Sequence, residues 1–205
     1  MKHLQVVLLA FLICSCAYSG SAGYCIPSSN SLIAENDSAQ VTTKSLEILK
    51  ALKEKDYEFM SYYFHPALGI RFSPYAYIDT SIDVVLTASE YTNLLTNSKK
   101  KLLNWGSFDG SGDPIMLTMK NYIKKYIYDV DFYNAEKISF NRILGAGNSQ
   151  DNIRAVYEGL PFVEFYFSGF EEKYSGMDWR SLKLVFKKYE DRFYIVGIIH
   201  SEWTI

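Results

Sequence analysis

The hydrophobic pattern of this chain has a helical period in its first half and a strand period in its last third. Helices are predicted over 43–55, 57–64 and 87–95, and from 118 onward, where apolar residues recur every three or four positions. Thr87 and Glu90 have the spacing of a capping box, which marks the start of the third helix. His65-Pro66 ends the second helix, because the residue before a proline avoids the helical region.

Strands are predicted over 69–73, 75–78, 137–144, 153–158, 162–167, 180–189 and 192–199, with turn chemistry over 104–114. Because Pro74 divides the first two strands, we expect an edge strand or a β-arm there. From Leu182 to Lys187 one face is apolar and the other carries lysine, and Glu190-Asp191 supplies a tight turn. This pattern predicts a C-terminal antiparallel hairpin.

Helices first and strands last predict an α+β fold, in which N-terminal helices pack on a curved antiparallel sheet. The chain of 205 residues, 48% of them hydrophobic, holds one ordinary domain with a real core. We expect a signal peptide over 1–15, a flexible tether over 16–40 and a single α+β domain over 41–205.

The first residues have the three parts of an export signal, with a basic start at Met1–His3 and an apolar run over Leu4–Ile13. The run is about half the ~20 residues that a membrane-spanning helix needs. An aliphatic residue three before Cys16 and a small residue just before it resemble a bacterial lipobox. The sequence therefore predicts an exported protein whose Cys16 carries the lipid that anchors it to the cell membrane or outer membrane. Secretion after cleavage at Ala22 is the alternative.

Composition narrows the function classes. The 21 Lys and Arg residues against 23 Asp and Glu residues give a net charge of -2, which argues against nucleic acid as a partner. Cys25 is the one thiol left for the mature chain by either processing route, so no intrachain disulfide is expected. No Cys/His cluster has metal-ligand spacing, and no cofactor or metal is predicted.

Several strings resemble a group of uncharacterised exported bacterial proteins: His65-Pro66 with Gly69 to Tyr75, Trp105 to Gly112, Tyr128 to Phe132, and Gly176 to Leu182. The order of elements and the helix-helix-His-Pro opening look like the NTF2-like (SnoaL-like) superfamily, which has a cone-shaped α+β fold. That resemblance implies a fold and no activity, since the superfamily hosts isomerases, dehydratases, binding modules and inert scaffolds.

Four residues are candidates for one concave site: His65, Arg71, Tyr75 and Tyr77. His65 is either a general base or a cap of the second helix. Arg71 either grips an anion or forms a salt bridge or an aromatic stack. Tyr75 and Tyr77 share a face, and all four converge if the Pro74 bend rotates that face. Such a site suits a small anionic or hydroxylated ligand.

Further polar residues have weaker patterns. Arg180 either grips a carboxylate or phosphate or forms a salt bridge or a stack on Trp179. His200 with Glu202 fits either a base with its carboxylate or a surface cluster. Asp109 and Asp178 are interpreted as turn-forming residues. Aromatic residues make up 16% of the chain, more than a small core needs, so some of them are expected at the surface as stacking groups.

Three functions remain open at the level of the sequence. The first is a membrane-tethered ligand-binding or interaction domain. The second is a small enzyme that uses the cone pocket, with His65 as general base. The third is a structural accessory protein of the cell envelope. The sequence does not fix the ligand or the oligomeric state.

Overall fold

The computed structural model describes residues 29–98 and 100–204, which form a mixed α+β fold with a curved, open sheet. The α-helices are α1 (Ser29–Lys53), α2 (Ala88–Thr96), α3 (Met119–Tyr122) and α4 (Ile153–Val156), and a π-helical turn (Ile123–Ile127) continues α3. Short 3-10 turns are Phe59–Tyr63, Phe132–Asn134 and Glu172–Tyr174. The strands are β1 (Ile70–Ser73), β2 (Val84–Leu86), β3 (Leu103–Ser107), β4 (Pro114–Leu117), β5 (Lys137–Phe140), β6 (Phe162–Phe167), β7 (Arg180–Tyr189) and β8 (Arg192–Glu202).

The predicted export signal, Cys16 and the alternative cleavage site at Ala22 lie outside the described residues. Within 29–98 and 100–204, none of the helices combines the length and the hydropathy that a membrane span requires.

Six strands form the main sheet in the order β2-β1-β8-β7-β6-β5, and β3 pairs with β4 in a separate hairpin. Neighbouring strands are antiparallel except β1 and β8, which run parallel with Arg71 opposite Gly197. At the turn between β7 and β8, Glu190 and Asp191 have φ angles of 46° and 61°, as a type I′ hairpin turn requires. The predicted C-terminal hairpin is confirmed.

Apolar side chains cover both faces of the central hairpin. Phe72 and Ile198 belong to the main core, in which the sheet packs against α1, α2, α3 and the π turn. Val185 and Ile199 face the opposite way and join a smaller cluster with Ile153 of α4. The sheet is therefore buried from two sides, and polar residues on either face of its central strands are buried too.

The capped helices are confirmed. Thr87 Oγ1 accepts the Glu90 N–H at 3.3 Å and the Glu90 carboxylate accepts the Thr87 N–H at 2.8 Å, so the capping box is complete. Thr118 caps α3 by accepting the Asn121 N–H at 3.3 Å. Both caps occupy amide groups that the first helical turn leaves without a partner.

The first helix begins earlier than the apolar pattern indicates. α1 starts at Ser29 and not at residue 43, so residues 29–40, which the pattern assigns to a tether, are helical. Residues 35–40 are exposed or half-buried, and Asp37 forms an ion pair of 4.0 Å with Lys188. A surface helix of this kind lacks the apolar stripe on which the predicted boundary rests.

Three predictions of local structure are wrong. Residues 75–78 are not a strand, residues 153–158 contain α4, and the predicted turn over 104–114 contains the β3-β4 hairpin. Asn152 accounts for the first, because its side-chain amide exchanges hydrogen bonds with the backbone N–H and C=O of Ile78 at 2.8 and 3.0 Å. These bonds take the place of a strand ladder for the chain around Ile78.

The expected edge position of β1 is also wrong, since β1 lies between β2 and β8. The partner of a parallel strand comes from a distant part of the chain, and the local pattern carries no information about it.

Candidate functional site

A cleft of about 320 Å³ lies beyond the end of β1, where the loop after Pro74 meets the β3-β4 hairpin. We call it the Tyr77 cleft; its walls include Tyr75, Tyr77, Phe108, Ser149 and the aspartates Asp79, Asp83 and Asp109. The volume is within the range of small-molecule sites. Tyr77 is 54% exposed although it is a large aromatic side chain, so its ring is accessible to a ligand. Two of the four predicted site residues, Tyr75 and Tyr77, thus line one cleft.

Arg71 lies behind the cleft and is not part of its wall. Its guanidinium donates to the backbone carbonyls of Thr80 and Asp83, both at 3.3 Å. These bonds hold the 79–83 loop, which carries two of the cleft's carboxylates. Arg71 is therefore a positioning residue for the loop.

His65 lies elsewhere. Its backbone N–H donates to the Ile195 carbonyl at 3.1 Å, whereas the Pro74 carbonyl lies 3.3 Å from Nδ1 of His200. Ile195 and His200 are five residues apart on β8, which corresponds to about 16 Å of strand. The structure does not bring His65 to the Tyr77 cleft.

His65 stabilises the turn that follows the second helix and does not cap that helix, whose C-cap is Phe64. Its Nδ1 accepts the backbone N–H groups of Ala67 and Leu68 at 3.2 and 3.1 Å, and the ring packs against Tyr189 and Tyr194. Burial, and then the positive charge of Lys187, lower the pKa of His65. The lone pair of Nδ1, which a general base would use to accept a proton, already accepts these two backbone N–H groups.

The carboxylates of the cleft differ in their environment. Burial raises the pKa of Asp83 to about 6, although a hydrogen bond from the Ser73 hydroxyl and the charge of Arg71 work in the other direction. Asp79 is the opposite case, because hydrogen bonds from the Ser81 hydroxyl and backbone N–H lower its pKa. Asp109 accepts the Gly110 N–H at 3.1 Å, which agrees with its interpretation as a turn residue.

A buried ionic cluster lies on the second face of the sheet. Lys183 is fully buried; its ammonium is 3.0 Å from Asp151 and 3.5 Å from the equally buried Glu164, and it donates to the Ser201 hydroxyl at 3.1 Å. Glu164 also accepts the Ser181 hydroxyl and backbone N–H groups in the 141–152 segment. We call these side chains the Lys183 cluster.

The alternating pattern places Lys183 on the face opposite the apolar one, and in the structure this second face is buried at Lys183 as well. Lys187, four residues further along β7 on the same face, is exposed. At Lys183, by contrast, the segment that contains α4 covers the sheet. Period-2 alternation identifies two faces and does not show whether the polar face is covered. Lys183, Glu164 and Asp151 are therefore residues that sequence reasoning missed.

A second polar group lies on the helix-facing side of the same strands. Arg180 contacts Asp129 at 2.9 Å and Glu202 at 3.1 Å, and Nε2 of the fully buried His200 lies 3.4 Å from Asp129. The salt-bridge alternative for Arg180 is thus confirmed, and His200 pairs with Asp129 and not with its sequence neighbour Glu202. Burial by itself raises the pKa of Asp129. The hydrogen bond and charge of His200 and the charge of Arg180 together have the larger, opposite effect, so the pKa of Asp129 is lowered.

A smaller cavity of about 130 Å³ borders both groups, and its lining includes Ala76, Ser149, Asp151, Trp179 and Glu202. Ser149 also lines the Tyr77 cleft, so the two spaces are neighbours. Gly145 allows the loop to pass over Trp179, because a Cβ at this position would lie 2.7 Å from the indole ring. The 141–152 segment therefore forms part of both walls.

The described residues contain no group of three or more His, Cys, Asp or Glu side chains arranged to hold a metal ion. Comparison with known proteins finds no family model, no curated protein and no solved structure that matches this chain. Function must therefore be inferred from the chemistry of the site.

The raised pKa of Asp83 gives a pH-dependent prediction. A carboxyl group whose folded pKa lies above its unfolded value stabilises the fold below about pH 4, and that contribution is lost as pH rises through about 6. We expect Asp83→Asn to gain stability relative to wild type as pH rises from 4 to 7.5, by roughly 1–2 kcal/mol once solvent screening is included. Urea unfolding at several pH values measures the difference.

Asp79→Asn is the matched control, because its lowered pKa predicts the opposite sign. That variant should be less stable than wild type above about pH 4, and the deficit should shrink at lower pH. A stability difference for Asp83→Asn that does not change with pH would contradict the assigned burial of its carboxyl group.

Proposed function

We propose that this protein is a ligand-binding domain and that the Tyr77 cleft is its binding site. The observation that carries the proposal is the composition of the cleft wall, in which the exposed Tyr77 ring and the half-buried rings of Tyr75 and Phe108 lie beside carboxylates in a space of about 320 Å³. Aromatic rings offer flat apolar surfaces, and carboxylates offer hydrogen-bond acceptors, so together they recognise polar molecules with an apolar face.

The carboxylates narrow the ligand class. Of the two classes that the sequence favours, an anionic ligand would meet Asp79, Asp83 and Asp109, and Arg71 is turned to the backbone behind them. An anionic ligand in contact with these carboxylates would be repelled by them, whereas a hydroxyl group donates hydrogen bonds to carboxylates. We therefore propose a hydroxylated ligand.

The enzyme hypothesis has less support. His65 is remote from the cleft and its Nδ1 accepts two backbone N–H groups, so it is not positioned as a base for a ligand bound there. Binding without reaction requires no such group, and the binding proposal therefore depends on fewer conditions.

We also propose that the domain is exported and anchored through a lipid on Cys16, as the lipobox-like sequence predicts.

The NTF2-like cone remains a proposal for the finer fold. It is supported by the order of elements, with helices before the main strands, and by a curved sheet whose one face packs against helices. We likewise propose a relation to the group of exported bacterial proteins, and this proposal depends on the sequence strings quoted above.

Thermal unfolding with polar probes tests the binding proposal. We expect at least one hydroxylated probe among glucose, galactose and myo-inositol to raise the melting temperature, since a ligand that binds the native state stabilises it by mass action. Succinate and citrate should give no shift. The shift should disappear in Tyr77→Ala and persist in Tyr62→Ala, which removes another exposed tyrosine, 78% accessible, that does not line the cleft.

A shift of equal size in Tyr77→Ala would show that the probe binds elsewhere. Stabilisation by succinate and citrate alone would contradict a hydroxylated ligand in this cleft, and stabilisation by none of the probes would contradict binding of a sugar or a cyclitol there.

Lipid labelling of the full chain tests the anchor. Cys16→Ser should abolish incorporation of a labelled acyl chain, while Cys14→Ser should retain it, because the residue before Cys14 is the bulky Ile13 and not a small side chain. Equal labelling of wild type and Cys16→Ser, or release of a soluble chain that begins at Gly23, would refute anchoring at Cys16.

A further inference from the structure

The charges around the Tyr77 cleft do not balance. Asp79, Asp83 and Asp109 line it, and no lysine or arginine is among the described residues of its wall. Two cations lie close by: Arg71 binds the backbone behind the 79–83 loop, and Lys125 lies beside Phe108. Three carboxylates and two cations leave one negative charge, which a ligand with one positive charge would neutralise.

The aromatic wall already accepts an ammonium group from the protein itself. Lys125 Nζ lies 4.3 Å from the centre of the Phe108 ring and 5.3 Å from the centre of the Tyr126 ring. Attraction between a cation and the face of an aromatic ring operates within about 6 Å of its centre. Of these two rings Phe108 lines the cleft, so one ring of the wall already holds an ammonium group, and the exposed ring of Tyr77 offers a face of the same kind to a ligand.

We propose that the ligand of the Tyr77 cleft is a small organic cation, an amino alcohol whose alkylammonium group packs against the aromatic rings beside the carboxylates. This inference rests on the proposed binding function and specifies its ligand. The hydroxyl group of such a molecule satisfies the hydroxylated class proposed above, and its positive charge explains the excess of carboxylates.

An inorganic cation fits the cleft less well. A hard metal ion requires several oxygen ligands in one coordination shell, and no group of three acidic, His or Cys side chains with that arrangement exists in the described part of the chain. An alkylammonium group needs only one or two carboxylates, because apolar contact with the rings supplies the remaining stabilisation. The mixture of Tyr, Phe and Asp side chains therefore favours the organic cation.

Asp83 is suited to face the charge. Its carboxylate is partly buried and accepts the Ser73 hydroxyl, so it has a fixed position. An ion pair with a partly buried carboxylate is screened less than a pair at the open surface. Asp83 and Tyr77 are consequently the residues whose replacement should affect binding most.

The experiment compares choline with 3,3-dimethylbutan-1-ol, which has the same shape and hydroxyl group but no charge. Titration of the full chain, followed by NMR or calorimetry, should give binding of choline that is about tenfold tighter than that of the neutral alcohol. Asp83→Asn and Tyr77→Ala should each weaken choline binding by roughly fivefold or more. Glu158→Gln, which removes a carboxylate from a different cavity, should bind choline like wild type.

Equal affinity for choline and the neutral alcohol, with both lost in Tyr77→Ala, would overturn the cationic ligand and leave the binding cleft intact. Choline binding that Asp83→Asn and Tyr77→Ala do not change would place the cation elsewhere and overturn the inference. No binding of choline, the neutral alcohol or the sugar probes would refute both the cation and the proposed function.

Discussion

The contact of Lys183 with Asp151 and Glu164 holds the 141–152 segment, which lines part of the Tyr77 cleft, against the sheet. A lysine and a glutamate that are both fully buried lose their hydration, and the structure tolerates them because the carboxylates lie 3.0 and 3.5 Å from the ammonium group. Removing one partner of such a pair leaves an uncompensated charge in the interior. The sheet and the 141–152 segment must therefore assemble together, since Glu164 comes from β6, Lys183 from β7 and Asp151 from that segment.

This constraint extends to the Tyr77 cleft. The segment that Asp151 fixes also carries Ser149, which lines the cleft, and Asn152, whose side chain binds the backbone of Ile78. Ile78 in turn follows Tyr77 directly, so a chain of short contacts connects the buried ionic cluster to the aromatic wall. The cleft is a set of loops, but these loops are attached to the sheet through buried and part-buried contacts. Such attachment limits the entropy that a ligand must remove when it binds.

The sequence predicts much of the scaffold and less of the site. The hairpin of β7 and β8 follows from alternation and the Glu190-Asp191 turn, and α2 follows from the Thr87 capping box, because each of these signals is local. The burial of Lys183 and the parallel pairing of β1 with β8 depend on segments far away in the chain, and no local pattern contains that information. Tyr75 and Tyr77 could be grouped because they share one short loop, whereas His65 could not be placed without knowing the path of β1 along β8.

Amide hydrogen exchange of Asp151→Asn tests most directly whether the Lys183 cluster holds the 141–152 segment. The substitution removes the charge that faces Lys183 but leaves the Glu164 carboxylate, which accepts the Leu144 and Gly145 N–H groups. We expect faster exchange of those two amides than in wild type, with the central amides of β8 unchanged, because local opening requires less free energy than global unfolding. Asp113→Asn, at an exposed carboxylate on the β3-β4 hairpin, serves as the control. Unchanged protection of Leu144 and Gly145 in Asp151→Asn would contradict the account.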